Sequence, residues 1–189
     1  MKNKEIFRVS YSILSAWASG DYDTALKMYH RIEMEPNEYQ IDGKRWHKKW
    51  EAETKKTGCM PKVFGGKKLE NPITELKIEK DLNEWLQLVG VIDLVDDGKD
   101  CFGVDYKTGS IDSSQYSNGW QHSVYQILFP RMKRFEFHHY NQHKKIVDMS
   151  IVHLTDKTLV DGLEWIITQA SDMKNYIDNN DLTFEQGGN

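Results

Sequence analysis

The stretch Leu88-Val-Gly-Val-Ile-Asp93-Leu-Val95 places one aspartate in the middle of an otherwise apolar segment. The apolar run over residues 85–95 predicts a strand that is buried on both faces. An unpaired carboxylate in such a strand would cost several kcal/mol or be forced to take up a proton. Asp93 therefore needs a close partner, and either a metal ion or a lysine would serve.

A second strand is predicted over residues 101–107, and it contains Asp105-Tyr-Lys107. Residues two apart in a strand point to the same side, so Asp105 and Lys107 share one face. The segment Asp96-Asp97-Gly98-Lys99 between the two strands is typical of a hairpin turn. The turn makes the two strands antiparallel neighbours, so that two carboxylates and one ammonium group can converge.

This trio suits phosphoryl transfer with a divalent metal ion. Magnesium prefers hard oxygen ligands such as carboxylates, waters and a phosphate oxygen. The metal would polarise the phosphate and lower the pKa of a bound water. Lys107 could orient or help deprotonate that water, or stabilise the transition state. From these residues alone, a buried salt bridge between Lys107 and one aspartate, without chemistry, is an equal alternative.

The remaining pattern predicts an α/β arrangement around a mixed central sheet. Helices are expected over residues 12–19, from 21 or 23 to 31, and over 37–54, then from a cap at Ser113 or Ser114 to about 129, and from Asp156 onward. Further strands are expected over residues 73–80, 133–140 and 146–154, and a glycine- and lysine-rich polar loop over 57–72. In the helix 37–54, Gly43, Trp46, His47 and Trp50 fall on one face.

Length and composition fit one domain over residues 1–189, with a formal net charge of −4. Cations concentrate in residues 43–80, where Lys48 and Lys49 are predicted to contact a polyanion, although a lysine-rich stretch can also be a solvated face. No apolar run approaches the roughly 20 residues needed to cross a bilayer, so we expect no membrane partner and a cytoplasmic location. Cys59 and Cys101, the two cysteines, cannot hold an iron–sulfur cluster within one chain.

Five short motifs in order resemble the RecB-type branch of the PD-(D/E)XK nuclease superfamily. They are Ser10-Tyr-Ser-Ile-Leu-Ser, Gly43-x-x-x-His47, Gly90-x-x-Asp93, Asp105-Tyr-Lys107-Thr-Gly109 and Gln121-x-x-x-Tyr125. The resemblance covers about residues 10–128. It implies a restriction-endonuclease-like core, in which a mixed central β-sheet is flanked by α-helices.

The resemblance also implies a role for each matched residue. His47, Asp93, Asp105 and the backbone carbonyl of Tyr106 would bind Mg²⁺ or Mn²⁺. Asp93 and Asp105 would act in catalysis together with Lys107, the catalytic lysine of the family.

Three further positions carry less certain or more peripheral roles in the resemblance. Glu75 is similar to the acidic residue that often precedes the Gly-x-x-Asp strand and would be a further metal ligand, with Glu79 a weaker candidate for that place. Gln121 and Tyr125 lie one helical turn apart and share a face. In the family that helix lines the cleft, so both side chains would contact the substrate strand.

The implied function is that of a metal-dependent DNA exonuclease acting on linear duplex or single strands, in recombination, repair or phage DNA processing. A structure-selective or single-strand endonuclease remains open, and so does a catalytically idle fold that binds DNA or inhibits another protein. Many relatives carry four cluster-binding cysteines that this sequence lacks, so we expect no iron–sulfur cluster. No phosphate-binding Gly-x-x-x-x-Gly-Lys-Ser/Thr loop is present, so we expect no nucleotide cofactor. Processivity would then need a homo-oligomer or a recombination partner protein.

Overall fold

The computed structural model of the chain describes residues 6–109 and 113–180. Six strands lie in this part of the chain: β1 (Phe7–Ser10), β2 (Pro72–Asp81), β3 (Leu86–Asp96), β4 (Phe102–Thr108), β5 (Arg134–Asn141) and β6 (Ile146–His153). The helices are α1 (Tyr11–Ala18), α2 (Tyr22–Tyr29), α3 (Glu38–Thr57), α4 (Ser113–Ser117), α5 (Gln121–Leu128) and α6 (Asp156–Asn179). The predicted α/β arrangement is confirmed.

The strands form one mixed sheet in the order β1-β3-β4-β5-β6, with β2 paired to β3. The pairs β1–β3 and β4–β5 are parallel, and the other pairs are antiparallel. Because β2 runs along β3 from Gln87 to Asp96, both β1 and β4 have to lie on the other side of β3. β1 pairs with Leu86–Val89 and β4 with Leu94–Asp96, which leaves Gly90–Asp93 without a strand neighbour on that side.

The two faces of the sheet carry different helices. One face packs against α1, α5 and α6 in a large core that includes Leu14, Leu88, Phe135 and Ile166. The other face is covered by α3 and by a short 3₁₀ turn at Lys62–Phe64, around a smaller core centred on Trp50. This three-layer arrangement matches the predicted mixed sheet flanked by helices.

Side-chain caps fix where the first three helices begin. The Ser10 hydroxyl accepts a hydrogen bond from Ile13 N, and the Asp21 carboxylate accepts one from Thr24 N. Asn37 and Gln40 form a reciprocal capping box at the start of α3. The predicted helix starts near Ser10, Asp21 and Asn37 are therefore confirmed.

Some expectations for individual elements are wrong. The single helix expected to end near residue 129 is broken into α4 and α5 at residues 118–120, and α4 begins at Ser113, whose side chain lies outside the described part. At the break, a Cβ on Gly119 would lie 3.0 Å from the Tyr11 hydroxyl, so the chain passes close to α1 there. Strand β1 was not predicted. β3 is not buried on both faces, because Val91 is 38% exposed on a groove that α3 leaves open.

The loop expected to be simply polar is in part packed into the protein. Met60 and Leu69 from residues 57–72 are buried in the smaller core. The backbones of Cys59 and Lys68 pair in an isolated antiparallel β-bridge. Among the described residues, no helix is long and apolar enough to span a membrane.

Candidate active site

Asp93 binds its partners where β3 has no strand neighbour on the side of β1 and β4, over Gly90–Asp93. Beyond Leu94 and Val104 the strands β3 and β4 no longer pair, and the backbone N–H of Tyr106 donates to Asp93 Oδ2 instead, at 2.7 Å. The same oxygen lies 3.4 Å from Nδ1 of His47. Asp93 is therefore held by a backbone donor and an imidazole, and its side chain remains 13% exposed.

Two glycines allow helices to approach the site closely. A Cβ on Gly43 would lie 3.2 Å from Thr108 Oγ1, so a glycine here lets α3 lie against the end of β4. A Cβ on Gly90 would lie 2.6 Å from Leu128 Cδ1, so a glycine here lets α5 approach β3. These contacts give a physical reason for the glycines in Gly43-x-x-x-His47 and Gly90-x-x-Asp93.

His47 reaches Asp93 from α3, which brings together two residues that only the family resemblance had joined. Burial lowers the pKa of His47. The hydrogen bond and charge of Asp93, together with the charge of Asp105, raise it by more than burial lowers it, so the net pKa lies above its ordinary value. A positive charge at this position is favoured because two carboxylates lie close by.

Asp105 and Lys107 lie on the face of β4 that is turned toward α5. Lys107 Nζ is 2.6 Å from Asp105 Oδ2, yet this buried oxygen accepts no properly directed hydrogen bond from the described residues. Burial raises the pKa of Asp105, and the charge of Asp93 adds to that rise against the opposing effect of Lys107. Burial lowers the pKa of Lys107, but attraction to Asp105 and Asp93 outweighs it and raises the net pKa, so the amine stays protonated at neutral pH.

Gln121, the first residue of α5, joins the two charged side chains of β4. Its Nε2 donates to Asp105 Oδ1 at 2.7 Å, and its Oε1 accepts from Lys107 Nζ at 3.0 Å. Tyr125, one turn later, donates from its hydroxyl to the backbone carbonyl of Val91 at 2.8 Å, inside the gap beside β3. Both side chains are buried and engaged with the protein. Their contact with a substrate strand stays a prediction.

Glu75 lies on the neighbouring strand β2 between the pairs Thr74–Leu94 and Leu76–Ile92, in a backbone conformation with φ of 51°. Burial raises the pKa of Glu75, and the nearby charges of Asp93 and Glu51 raise it further. Glu51 lies one turn after His47 on α3, forms an ion pair with Lys55, and was not singled out from the sequence. The spacing of four residues from His47 was the signal that could have found it. Glu79 pairs with Arg8 away from these groups.

An open groove of about 1210 Å³ runs past these residues. Five of the residues that line it belong to this site, and we call them the catalytic end of the groove: His47, Glu51, Glu75, Asp93 and Lys107. Lys48 also lines the groove, whereas Lys49 is placed over the ring of Trp46 at 4.5 Å from the centroid. Of the two lysines predicted to contact a polyanion, the structure brings Lys48 into the groove.

The residues fit a divalent metal ion in the kind of donor they offer. Carboxylate oxygens and an imidazole are ligands that magnesium or manganese accepts. Asp105 Oδ2 is a buried oxygen whose nearest positive charge is Lys107, so a cation would compete with that lysine for it. Within residues 6–109 and 113–180, no three His, Cys, Asp or Glu side chains are already grouped closely enough to hold an ion.

Solved structures share this architecture. An alkaline exonuclease from Laribacter hongkongensis matches with a TM-score of 0.60 and 10% identity over 94% of this chain and 93% of that chain. The same exonuclease in complex with dAMP gives a TM-score of 0.60 and 10% identity over 92% and 91%. A candidate exonuclease from Eubacterium rectale gives 0.60 and 16% identity over 92% and 82%. At such low identity these likenesses show the fold.

The sequence itself identifies the family. No curated protein gives a significant sequence match. The sequence model of the PD-(D/E)XK nuclease superfamily matches residues 15–177, which is most of the chain. The predicted superfamily is confirmed, while its RecB-type branch stays a prediction. The chain belongs to the PD-(D/E)XK nuclease superfamily.

Proposed function

We propose that the protein is a magnesium- or manganese-dependent DNA exonuclease that hydrolyses phosphodiester bonds. One observation carries this proposal: Asp93, His47 and Lys107 line an open groove, and Asp105 lies beside Lys107. These four side chains come from three different elements. A plain buried ion pair would need neither the groove nor His47. The position of Lys48 along the groove adds a positive charge on the path of a polyanion.

In this proposal His47, Asp93, Asp105 and the Tyr106 backbone carbonyl hold the metal, with Glu75 as a less certain ligand. The metal, when bound, polarises the scissile phosphate and acidifies a water. The protonated Lys107 stabilises the negative charge that develops on the phosphate. Gln121 fixes the side chains of Asp105 and Lys107 relative to each other through its two hydrogen bonds. Lys48 and Lys49 attract the phosphate backbone.

The choice of DNA and of cleavage from an end is supported by the solved relatives. One of them is named an alkaline exonuclease and was solved with dAMP, a mononucleotide, and another is named as a candidate exonuclease. We extend that activity to this chain as part of the proposal. A cytoplasmic location, a homo-oligomer and a recombination partner stay predictions.

The test uses end-labelled linear duplex, linear single strand and closed circular DNA, each with magnesium, manganese or EDTA. We expect metal-dependent loss of the linear DNA alone. Nicked or linearised circles would instead make the protein an endonuclease. Binding without cleavage under every metal would favour the catalytically idle fold.

Two site variants and a matched control complete this test. Asp105→Ala and Lys107→Ala should each lower cleavage by at least about a hundredfold. The first removes a proposed metal ligand, and the second removes the cation that stabilises negative charge on the reacting phosphate. Asp178→Asn, which removes an exposed ion pair with Lys174 on α6, should cleave like the unmodified protein. Activity of either site variant within tenfold of the unmodified protein would contradict the assignment, provided that circular dichroism shows an intact fold.

A further inference from the structure

Residues 31–41, between α2 and the second turn of α3, are all exposed, and we call them the exposed arm. The arm carries four large apolar side chains: Ile32, Met34, Tyr39 and Ile41. Tyr39 is 72% exposed and Ile41 53% exposed. Apolar side chains scattered singly over a surface need no explanation, but a group of four within eleven residues does.

The apolar side chains of the arm open onto the active-site groove. Met34, Tyr39 and Ile41 line the same groove as His47, Asp93 and Lys107. They lie on the stretch that leads into α3 and on its first turn, and His47 follows on the same helix. A DNA strand that lies in the groove beside His47, Asp93 and Lys107 can therefore also contact the apolar side chains of the arm.

Positive charge lines the same groove as the arm. Lys44, Arg45 and Lys48 line the groove next to Ile41. The acidic residues of the arm region, Glu33, Glu35 and Glu38, do not line it. The lining of the groove thus combines apolar and aromatic surface, three cations and the carboxylates that would hold the metal.

This combination distinguishes between the forms that DNA can take. A paired duplex presents its phosphates outward and keeps its bases stacked inside, so apolar side chains gain little from it. Unpaired nucleotides expose base faces that stack on aromatic and aliphatic side chains, while cations follow the backbone. A second protein molecule fits less well, because it would have to cover three cations in the same groove.

We propose that the exposed arm holds unpaired nucleotides of the DNA strand next to the cleaved bond, with Tyr39 as the main stacking surface and Met34 and Ile41 beside it. The phosphates of these nucleotides contact Lys44, Arg45 and Lys48. This inference rests on the proposed nuclease function and adds that the site takes a strand in its single-stranded form.

The experiment measures the affinity of the protein for a labelled single-stranded oligonucleotide and for a blunt duplex of equal length. Binding is followed by fluorescence anisotropy in EDTA, so that the DNA stays intact. Tyr39→Ala should weaken single-strand binding about fivefold or more and change duplex binding less than about twofold. Tyr39→Phe keeps the ring and should restore single-strand binding. Ile41→Ala should also weaken single-strand binding. Its matched control is Val160→Ala, which shortens an apolar side chain that is 60% exposed on α6 and should leave single-strand binding unchanged.

Cleavage with magnesium provides a second readout. Tyr39→Ala should slow digestion of an end with mismatched, already unpaired nucleotides at least as much as digestion of a blunt end, because both ends reach the arm as the same unpaired strand. Equal loss of single-strand and duplex affinity, or no loss of either, would overturn the inference while leaving the nuclease proposal intact. A Tyr39→Ala variant that binds DNA normally but loses a self-associated state in sedimentation would make the arm a protein interface, which also overturns it. If the unmodified protein neither binds nor cuts DNA, the proposed function and this inference both fail.

Discussion

Gln121 is the side chain on which the geometry of the site depends most directly. It donates to Asp105 and accepts from Lys107, so it fixes two charged groups that would otherwise be joined only by their own contact. The amide is buried, and Gln121 is not among the residues that line the groove. We therefore predict that it acts as a positioning residue, whose loss should disturb chemistry more than binding.

We expect Gln121→Leu to lower kcat by about ten- to a hundredfold with little change in KM, since misplacing the reacting groups by about 1 Å is enough for a loss of this size. The matched control is Gln126→Leu on the same helix. Gln126 is equally buried, but its hydrogen bonds join it to Thr155 O and Thr158 Oγ1 at the start of α6. Gln121→Leu should lose about 1–3 kcal/mol of unfolding free energy, because it leaves the buried Asp105 without its amide donor. Gln126→Leu should lose less, because its partner Thr155 is exposed and its partner Thr158 is half-buried.

Steady-state kinetics and thermal unfolding of the two variants separate the possible roles. If Gln121 contacts the substrate strand, its variant should raise KM and leave kcat nearly unchanged. If kcat falls equally in Gln121→Leu and Gln126→Leu, the effect comes from general loosening of α5 and the positioning role is refuted.

At the scale of the elements, the site depends on strands that stop pairing. β1 and β4 share one side of β3 but leave Gly90–Asp93 open, and α5 fills the opening with the hydroxyl of Tyr125. On the other side, β2 pairs with β3 on both sides of Glu75 but not at Glu75 itself. Glu75 adopts φ of 51°, a conformation that costs a residue with a Cβ of order 1 kcal/mol or more.

This strain predicts an unusual order of stability at position 75. Glu75→Gly should be more stable than Glu75→Ala by about 1 kcal/mol, because glycine adopts a positive φ without a steric cost. Lys77, two residues along the same strand and paired with Val91, is the control. There Lys77→Ala should be more stable than Lys77→Gly, because glycine weakens an ordinary strand position. Urea unfolding of the four variants measures both differences, and the same order at the two positions would contradict the strain at Glu75.

The extent to which the elements could be predicted follows from how local their signals are. The helix caps at Ser10, Asp21 and Asn37 act within four residues, and the hairpin after β3 is a short turn, so the sequence is enough for them. β1 has only Phe7 and Val9 facing the core and is defined by pairing with Leu86–Val89, far along the chain. The break between α4 and α5 comes from close packing of Gly119 against Tyr11, which no local pattern reveals.

The same distinction holds for the site. Asp105 and Lys107 are two apart in a strand, so their shared face follows from the sequence alone. His47 was placed with Asp93 only through the family resemblance, because α3 meets β3 through tertiary packing. The hydrogen bonds of Gln121 to Asp105 and Lys107 were not predicted. Spacing shows that Gln121 shares a helical face with Tyr125, but it does not show which residues that face contacts. Glu51 was missed because the sequence does not show which residues its face of α3 contacts. Its spacing of four residues from His47 indicated only that the two share a face.

At the scale of the whole molecule, charge is distributed unevenly around a net value of −4. Lys44, Arg45 and Lys48 line the groove, whereas the exposed lysines of α6, such as Lys157 and Lys174, are paired with aspartates one turn away. An acidic protein can therefore attract DNA to one surface and repel it from others. The affinity for DNA should then depend on salt through the groove lysines and not through the total number of cations.

We expect the double variant Lys48→Gln, Lys49→Gln to weaken DNA binding and to reduce the slope of log Kd against log salt by about 0.7–0.9 for each lysine that contacts a phosphate. The double variant Lys157→Gln, Lys174→Gln removes the same charge from α6 and should leave the slope unchanged. Anisotropy titrations from low to moderate salt measure both slopes. Single variants then show whether Lys49, which lies over the Trp46 ring, contributes as much as Lys48 in the groove. Equal slope changes in the groove and α6 variants would mean that DNA senses only net charge, and the groove would lose its role as the binding surface.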